Sequence, residues 1–386
     1  MAAIPHVKIG LDQKLSMPTD SYVLHYFEDI EKYLAVGPPV YFVVRSGFDY
    51  SDPVKANKIC SLPGCDDDSL MERISGAARR PHRTFIARPA MSWVDDYIEW
   101  LSPETSCCGY DSETGDFCPS YKRESDKEYE PCAPTYNTSI MRPSVSDFNK
   151  FIDIFLHDNP NDKCSKGGHA AYSSAVELMG GSKVHREIGA THFMAWHSVL
   201  KTSDDFTGAV REARRLADEF NERLNGTGYS VFAYSNFYVF YEQYLDMVET
   251  TITNLGLCGI AIFLVSFVLL GFDFYSAFIV IVVIAMIVVD MFGIMYLWDI
   301  DLNAISLVNM VMAIGIAVEF CSHFVRKFAH SQQPNRLGRM TDTVTHIGSS
   351  VFSGITLTKL GGIVVLAFAK SRLFQVINIL SFYITC

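Results

Sequence analysis

The 386-residue chain has no excess of basic charge: 32 Lys and Arg stand against 43 Asp and Glu, for a net charge of −11. Nucleic-acid binding needs a basic face, so that class of partner is excluded. The sequence has no GxSxG elbow, no HExxH helix and no phosphate loop. His169, His192, His197 and many serines are present, yet nothing in their spacing points to an enzyme or calls for a cofactor. Gly167-Gly168 and Gly180-Gly181 read as turns rather than phosphate cradles. Paired CxxC spacing with histidines placed to complete a zinc site is also missing, so no metal is expected. The opening residues MAAIPHVKIGLDQK lack the apolar core of a signal peptide.

What is abundant is apolar sequence, 49% of the residues, and it is unevenly placed. Residues 1–249 have the texture of a water-soluble domain, and from Thr250 onward apolar spans dominate, so the chain divides near residue 250. Seven of the ten cysteines lie in the first half: Cys60, Cys65, Cys107, Cys108, Cys118, Cys132 and Cys164. They sit in loop-like sequence rich in Pro, Gly, Asp and Ser, the pattern of a disulfide-pinned domain in an oxidising lumen or exterior. Zinc is the competing reading. Seven is odd, so at least one thiol is unpaired or partnered elsewhere. Two sequons, at Asn137 and Asn225, agree with a luminal side and predict N-glycosylation. A luminal domain without a signal peptide needs an upstream membrane segment, which predicts that this chain is a fragment. The apolar run from Phe374 to Cys386, only half a span long, agrees.

Along the soluble part, Tyr22, Val23, Tyr26, Phe27, Ile30, Tyr33 and Leu34 recur at helical spacing, capped by Thr19 or Asp20 and stopped at Gly37-Pro38-Pro39. Val40 to Arg45 reads as a buried strand. Ser69 to Arg79 and Ser92 to Leu101 read as short helices, and residues 102–142 as a cysteine-rich excursion. Ser144 or Ser146 caps a helix through Leu156. Ala190 to Leu200 is a second strand, Ser203 to Leu224 an amphipathic helix, and Tyr229 to Tyr234 a third strand. This order suggests an α+β sandwich with helices on one sheet face. The expected fold class is a ferredoxin-like, disulfide-pinned α+β luminal domain followed by an all-α transmembrane bundle of about four helices.

Spans are predicted at about 250–270, 274–298, 302–321 and 354–369, the first continuing a helix from Phe237. The hydrophilic link at about 325–342 carries Arg326, Lys327, Arg336 and Arg339 against one Asp, so it is cytosolic by the positive-inside rule. Counting back puts residues 1–249 in the lumen, as the cysteines require. The third span, LNAISLVNMVMAIGIAVEFC, has the length to cross a hydrocarbon core of about 30 Å and holds Glu319 at membrane depth. Glu319 shares a helical face with Gly315, Met312, Val308 and His323. Gly315 removes side-chain bulk one turn before the acid, so another helix can approach. Either Glu319 faces a bundle interior and handles a proton, or it lies near the interface and snorkels to water.

Gly315-Ile-Ala-Val-Glu319-Phe-Cys-Ser-His323 and the run from His346 through Lys359 to Lys370-Ser closely resemble the C-terminal membrane half of the Niemann-Pick type C sterol transporters, members with Patched of the resistance-nodulation-division superfamily. The first half is also similar, at Gly37-Pro-Pro-Val-Tyr-Phe-Val, Cys107-Cys108, Asp158-Asn-Pro, Lys166-Gly-Gly-His-Ala-Ala-Tyr and Phe237-Tyr-Val-Phe-Tyr-Glu-Gln-Tyr-Leu. The resemblance covers nearly the whole chain. It implies a multi-pass protein of late endosomes or lysosomes that transports cholesterol, with this chain as the last luminal domain and the spans that follow. Implied partners are a sterol ligand, membrane lipids, a luminal sterol-carrier protein and the other half of the same permease.

The same resemblance places Glu319 at the acidic position of the GxxxD/E motif, thought to act in proton coupling with a carboxylate of the first repeat that this chain lacks. His323 then relays the proton or marks the cytosolic rim. Asp290, inside the second span, stands where relatives carry a neutral polar residue; it is a further coupling candidate. Lys359 matches a family lysine, which snorkels to the interface or pairs with a carboxylate. Cys60 with Cys65 and Cys107 with Cys164 resemble family disulfides. Cys108, Cys118 and Cys132 compete for one more bridge, with Cys108 to Cys132 favoured. The alternative function is a Patched-like receptor that binds a lipid or protein ligand. A requirement for a proton gradient would separate the two.

Overall fold

Within Pro39–Val44, Val40, Phe42 and Val44 are buried and the residues between them only half-buried, the two-residue period of a strand with one face on a core. In chain order the elements are α1 (Tyr22–Tyr33), β1 (Pro39–Val44), α2 (Leu70–Ala78), β2 (Ile86–Met91), α3 (Trp93–Leu101), β3 (Gly109–Asp111), β4 (Tyr129–Pro131), α4 (Val145–His157), β5 (Val176–Ser182), β6 (His185–His197), α5 (Ser203–Arg223) and β7 (Val231–Tyr234). Four long helices follow: α6 (Met247–Leu269), α7 (Phe274–Leu297), α8 (Ala304–His330) and α9 (Arg336–Ala367). The structure, a computed structural model, describes residues 6–11, 17–18, 20–34, 36–105, 107–123, 129–132, 142–182, 185–224 and 229–367. Asn137, Asn225 and the last apolar run from Phe374 lie outside the described residues. The chain forms two units, one of Leu34–Lys201 with Gly208–Val239 and one of Met1–Tyr33, Thr202–Thr207 and Phe240–Cys386.

The first unit is built on an antiparallel sheet in the order β2-β6-β1-β7, with β5 also paired to β6. Register places Phe42 between Phe193 and Ala233, so one row of the sheet is apolar across three strands. The same face carries the buried Thr191, Ala195, His197 and Val231. Two strands had no reading in the sequence. Ile86–Met91 contains Pro89, which is tolerated because β2 is an edge strand. Val176–Ser182 ends in Gly-Gly-Ser, which hid its pairing. Gly37 lies so close to β6 that a Cβ on it would meet the Ser198 carbonyl at 2.1 Å. No larger residue fits there without moving backbone.

Serine caps set the helices of this unit. Ser69, Ser92 and Ser144 accept hydrogen bonds from the N–H groups of Glu72, Asp95 and Asp147, three residues on. Each cap contributes about 1 kcal/mol. Behind them sits an aromatic cluster of Tyr97, Trp100, Phe148, Phe155 and Tyr172. Its polar edges are satisfied: Trp100 Nε1 donates to Asp158 at 2.8 Å, Tyr97 Oη to the Phe148 carbonyl at 2.6 Å and Tyr172 Oη to Asp96 at 2.5 Å. Lys166 joins Asp96 and Glu99, each at 2.6 Å. Disulfides link Cys60 to Cys65, Cys107 to Cys164 and Cys108 to Cys132, and Cys118 is a free thiol. The β3–β4 pair of the excursion is thereby clipped at the end where Gly109 faces Pro131.

In the second unit, α7 packs on α6 and α8, and α8 packs on α9. Met291, Met295, Leu307, Met310 and Ala313 form one apolar cluster and Val280, Ile284 and Ile314 another. The helices α6, α7 and α8 are long and apolar enough to cross a membrane. The helix read as continuous from Phe237 is interrupted: a helical turn at Tyr238–Tyr241 and a 3-10 turn at Glu242–Tyr244 precede α6, and Asp246 breaks the geometry at φ −110°. The hydrophilic link is mostly helix, since α8 runs to His330 and α9 starts at Arg336. In α1 the apolar spacing is present, yet no described residue of the helix is buried; Tyr22, Tyr26 and Tyr33 are exposed.

Candidate functional site

The start of α8 is fixed by a reciprocal cap. Asn303 Oδ1 accepts from the N–H groups of Ile305 and Ser306, and Ser306 Oγ accepts from the Asn303 N–H. The N-terminal segment pairs with the same turn, Gly10 N–H to the Leu302 carbonyl at 3.0 Å and Leu302 N–H to the Lys8 carbonyl at 2.7 Å. Lys8 also meets Asp299 at 2.8 Å on the surface. These charges mark the polar end of the helix pair. From that end α8 rises about 1.5 Å per residue. Glu319 is therefore about 22 Å along the helix and His323 about 28 Å, against the roughly 30 Å of a bilayer's hydrocarbon core, and Arg326 and Lys327 lie farther on.

The buried face of α8 is Ser306, Leu307, Asn309, Met310, Ala313 and Ile314. The opposite stripe, Val308, Met312, Gly315, Glu319 and His323, is exposed along its whole length. A Cβ built on Gly315 meets nothing within 4 Å. The side chains of Glu319, His323 and Asp290 make no hydrogen bond or ion pair with any other described residue. Asp290 is exposed on α7, seven residues from the end of that helix, whereas Glu319 is fifteen residues into α8. In an antiparallel pair the two carboxylates are offset by about 12 Å along the axis, so the structure does not bring them together. It does bring Gly315, Glu319 and His323 to one open face. The side chain of Lys359, on α9, lies outside the described residues.

One residue of this helix escaped the sequence reading. Asn309 is buried, and its side-chain nitrogen has no hydrogen-bond partner among the described residues. The signal was available, since Asn309 is the sole amide within the run ISLVNMVMAIG.

The remaining titratable groups of interest are in the other unit. His197 is fully buried; its Nδ1 donates to the Phe85 carbonyl at 2.8 Å, so its Nε2 accepts from Tyr238 Oη at 3.0 Å. Burial pushes this histidine down to about 4. Burial also lowers His192, which lies edge-on to Tyr41. His169 Nδ1 bonds the Leu156 carbonyl. Among the described residues one set, Cys60, Cys65 and Asp95, brings metal-ligating atoms within 4.8 Å of one another. Both cysteines are spent in a disulfide, so no thiolate is available to a metal.

No family model matches the sequence. Individual proteins do. NPC intracellular cholesterol transporter 1 of Sus scrofa is 50% identical over 378 residues, 97% of this chain and 29% of the relative. NPC intracellular cholesterol transporter 1 homolog 1b of Drosophila melanogaster is 41% identical over 374 residues, 96% of this chain and 30% of the relative. The NPC1-like intracellular cholesterol transporter 1 of Homo sapiens is 40% identical over 404 residues, again 96% of this chain and 29% of the relative. The chain spans under a third of the length of the curated relatives it matches. Nearly every residue described above therefore aligns, at 40–50% identity, with a portion of these NPC intracellular cholesterol transporters.

Proposed function

We propose that this chain supplies one luminal domain, residues 1–249, and one group of membrane helices, residues 250–386, of a permease that moves sterol out of late endosomes or lysosomes. Glu319 is its proton-coupling residue. The observation that carries this reading is the stripe Gly315, Glu319 and His323, exposed on a helix long enough to span a membrane. A lone carboxylate at membrane depth costs about 3 kcal/mol or more, so it needs a proton or a partner. No described residue partners it. The missing partner is then the other half of the permease, which approaches over Gly315. Taking a proton on a Glu319 carboxylate oxygen removes the charge and the reason for that partner to stay, which converts protonation into motion. His323 sits at the rim, toward Arg326 and Lys327.

Other features support the accompanying assignments. The strand order β2-β6-β1-β7, joined through helices, supports a ferredoxin-like luminal fold. Three disulfides favour an oxidising lumen for that domain, and Arg326, Lys327, Arg336 and Arg339 around the α8–α9 turn favour a cytosolic side there. The helix Arg336–Ala367 supports a fourth span. By family, sterol is the ligand and a luminal sterol-carrier protein a partner. N-linked glycans are assigned to Asn137 and Asn225.

The test is sterol export by the full-length parent protein carrying Glu319→Gln, which keeps shape and hydrogen bonding but cannot ionise. Export is expected to fall at least tenfold with trafficking and glycosylation unchanged. Unchanged export would leave Glu319 an interfacial acid and sink the coupling role. The chain alone is expected not to transport, and robust sterol transfer by it in proteoliposomes would overturn the need for another half.

A further inference from the structure

In the unit of Leu34–Lys201, a buried cation faces a disulfide. Arg142, 3% exposed, donates from Nη2 to Asn57 Oδ1 at 2.8 Å, and the same nitrogen stands 3.1 Å from the sulfurs of both Cys60 and Cys65. A guanidinium stays charged at any relevant pH, and a neutral disulfide offers it no countercharge. A second charged group at the bond is Asp95, whose carboxylate lies within 4.8 Å of both sulfurs and takes hydrogen bonds from the Ser61 N–H at 3.0 and 3.1 Å and from Ser61 Oγ at 2.6 Å. Cys60 is fully buried and Cys65 is partly open. The sulfurs of Cys107, Cys164, Cys108 and Cys132 meet no guanidinium among the described residues; Arg123 binds the Cys107 carbonyl instead.

We propose that Cys60–Cys65 is a reducible disulfide, opened by a small-molecule thiol, with Arg142 holding the thiolate that leaves. The reagent thiolate attacks the accessible Cys65 Sγ. A reagent–Cys65 disulfide forms as the Cys60–Cys65 bond breaks, and the electron pair departs on Cys60 Sγ beside Arg142 Nη2. A second reagent thiolate then attacks the reagent sulfur and releases Cys65 as a thiolate that takes a proton from water. Two electrons enter the protein, and the reagent leaves as its own disulfide. A leaving thiolate stabilised by a cation departs faster and raises the tendency of the bond to be reduced. The bond closes residues 60–65, directly before Asp66, which with Asp68, Lys58, Phe220, Arg223 and Leu224 lines a cavity of about 380 Å³.

The test titrates the whole chain, in detergent, with mixtures of reduced and oxidised dithiothreitol. Free thiols are alkylated and each cysteine pair is read by mass spectrometry. Cys60 and Cys65 are expected to open at a reductant ratio about tenfold lower than the other two pairs, the factor carried by one charge-assisted hydrogen bond. Arg142→Gln should raise that ratio about tenfold, and Asp95→Asn, which removes the opposing charge, should lower it further. An unfolded Arg142 variant would show all three pairs opening together; the wild-type order and the Asp95→Asn shift then decide. The proposal is overturned if Cys60–Cys65 opens no earlier than the other pairs, or if folded variants leave its midpoint where it was.

Discussion

The two units solve the problem of buried polar groups in opposite ways. In the sheet unit three large aromatic side chains carry their polar atoms to named partners, Trp100 to Asp158, Tyr97 to the Phe148 carbonyl and Tyr172 to Asp96, while the buried Trp93 Nε1 has none among the described residues. In the helical unit α6 buries only Met247, Thr251 and Ser266, and the one acid of α8 faces outward without a described partner. A water-soluble domain must complete its own core, because water surrounds it. A membrane helix is completed by lipid and by other helices, so its functional groups can be left open for a partner supplied elsewhere.

Perturbing the self-contained unit should produce the largest effects. Trp100 is fully buried, and Trp100→Ala both opens a cavity and strands Asp158. A loss of about 4 kcal/mol is expected in denaturant unfolding followed by near-ultraviolet circular dichroism. A loss below about 1 kcal/mol would mean that this core is not closed in the way described.

His197 should make the same unit sensitive to acid. Its folded value near 4 lies below the unfolded 6.5, so the neutral form is the one that folding favours. The stabilisation is complete above pH 6.5 and is lost as pH falls through that value toward 4, by about 3 kcal/mol in all. His197→Gln should flatten the stability profile between pH 7 and 4.5. An equally steep profile in that variant would assign the acid sensitivity to other groups.

The smallest effect is expected in the open stripe. Gly315→Ala meets nothing within the chain, so its stability should change by less than about 1 kcal/mol, with helix propensity favouring Ala. Sterol export by the full-length parent should nevertheless fall, because the added methyl meets the helix that approaches from the other half. Normal export with Gly315→Ala would argue that no helix comes close there.

Much of this was legible in the sequence for identifiable reasons. Ser69, Ser92 and Ser144 announced their helices because a cap is a local event, one side chain and one N–H three residues away. Three long apolar helices were legible because a membrane-length helix needs about 20 apolar residues in a row, a signal of composition alone. The strands β2 and β5 were not, because Pro89 and Gly180-Gly181 carry turn chemistry and only the long β6 makes strands of them. Nor did helical spacing in α1 reveal whether its apolar residues were buried; the described ones are not. Asn309 went unnoticed because periodicity assigns a face and not a hydrogen-bond count.

By itself, then, the sequence determined the elements whose causes are local: caps, long apolar helices, the charge asymmetry around the α8–α9 turn and the presence of an acid four residues after a glycine. The cysteine pairs came from the resemblance and the structure bears them out; tertiary structure alone decided that Arg142 lies against the Cys60–Cys65 bond, that His197 is walled off between Phe85 and Tyr238, and that the Glu319 stripe is the open side of α8 and not the packed one. The physical reason is range. Local signals act over one helical turn, whereas pairing, burial and the field at a charged group depend on residues brought together from as far apart as Cys60 and Arg142.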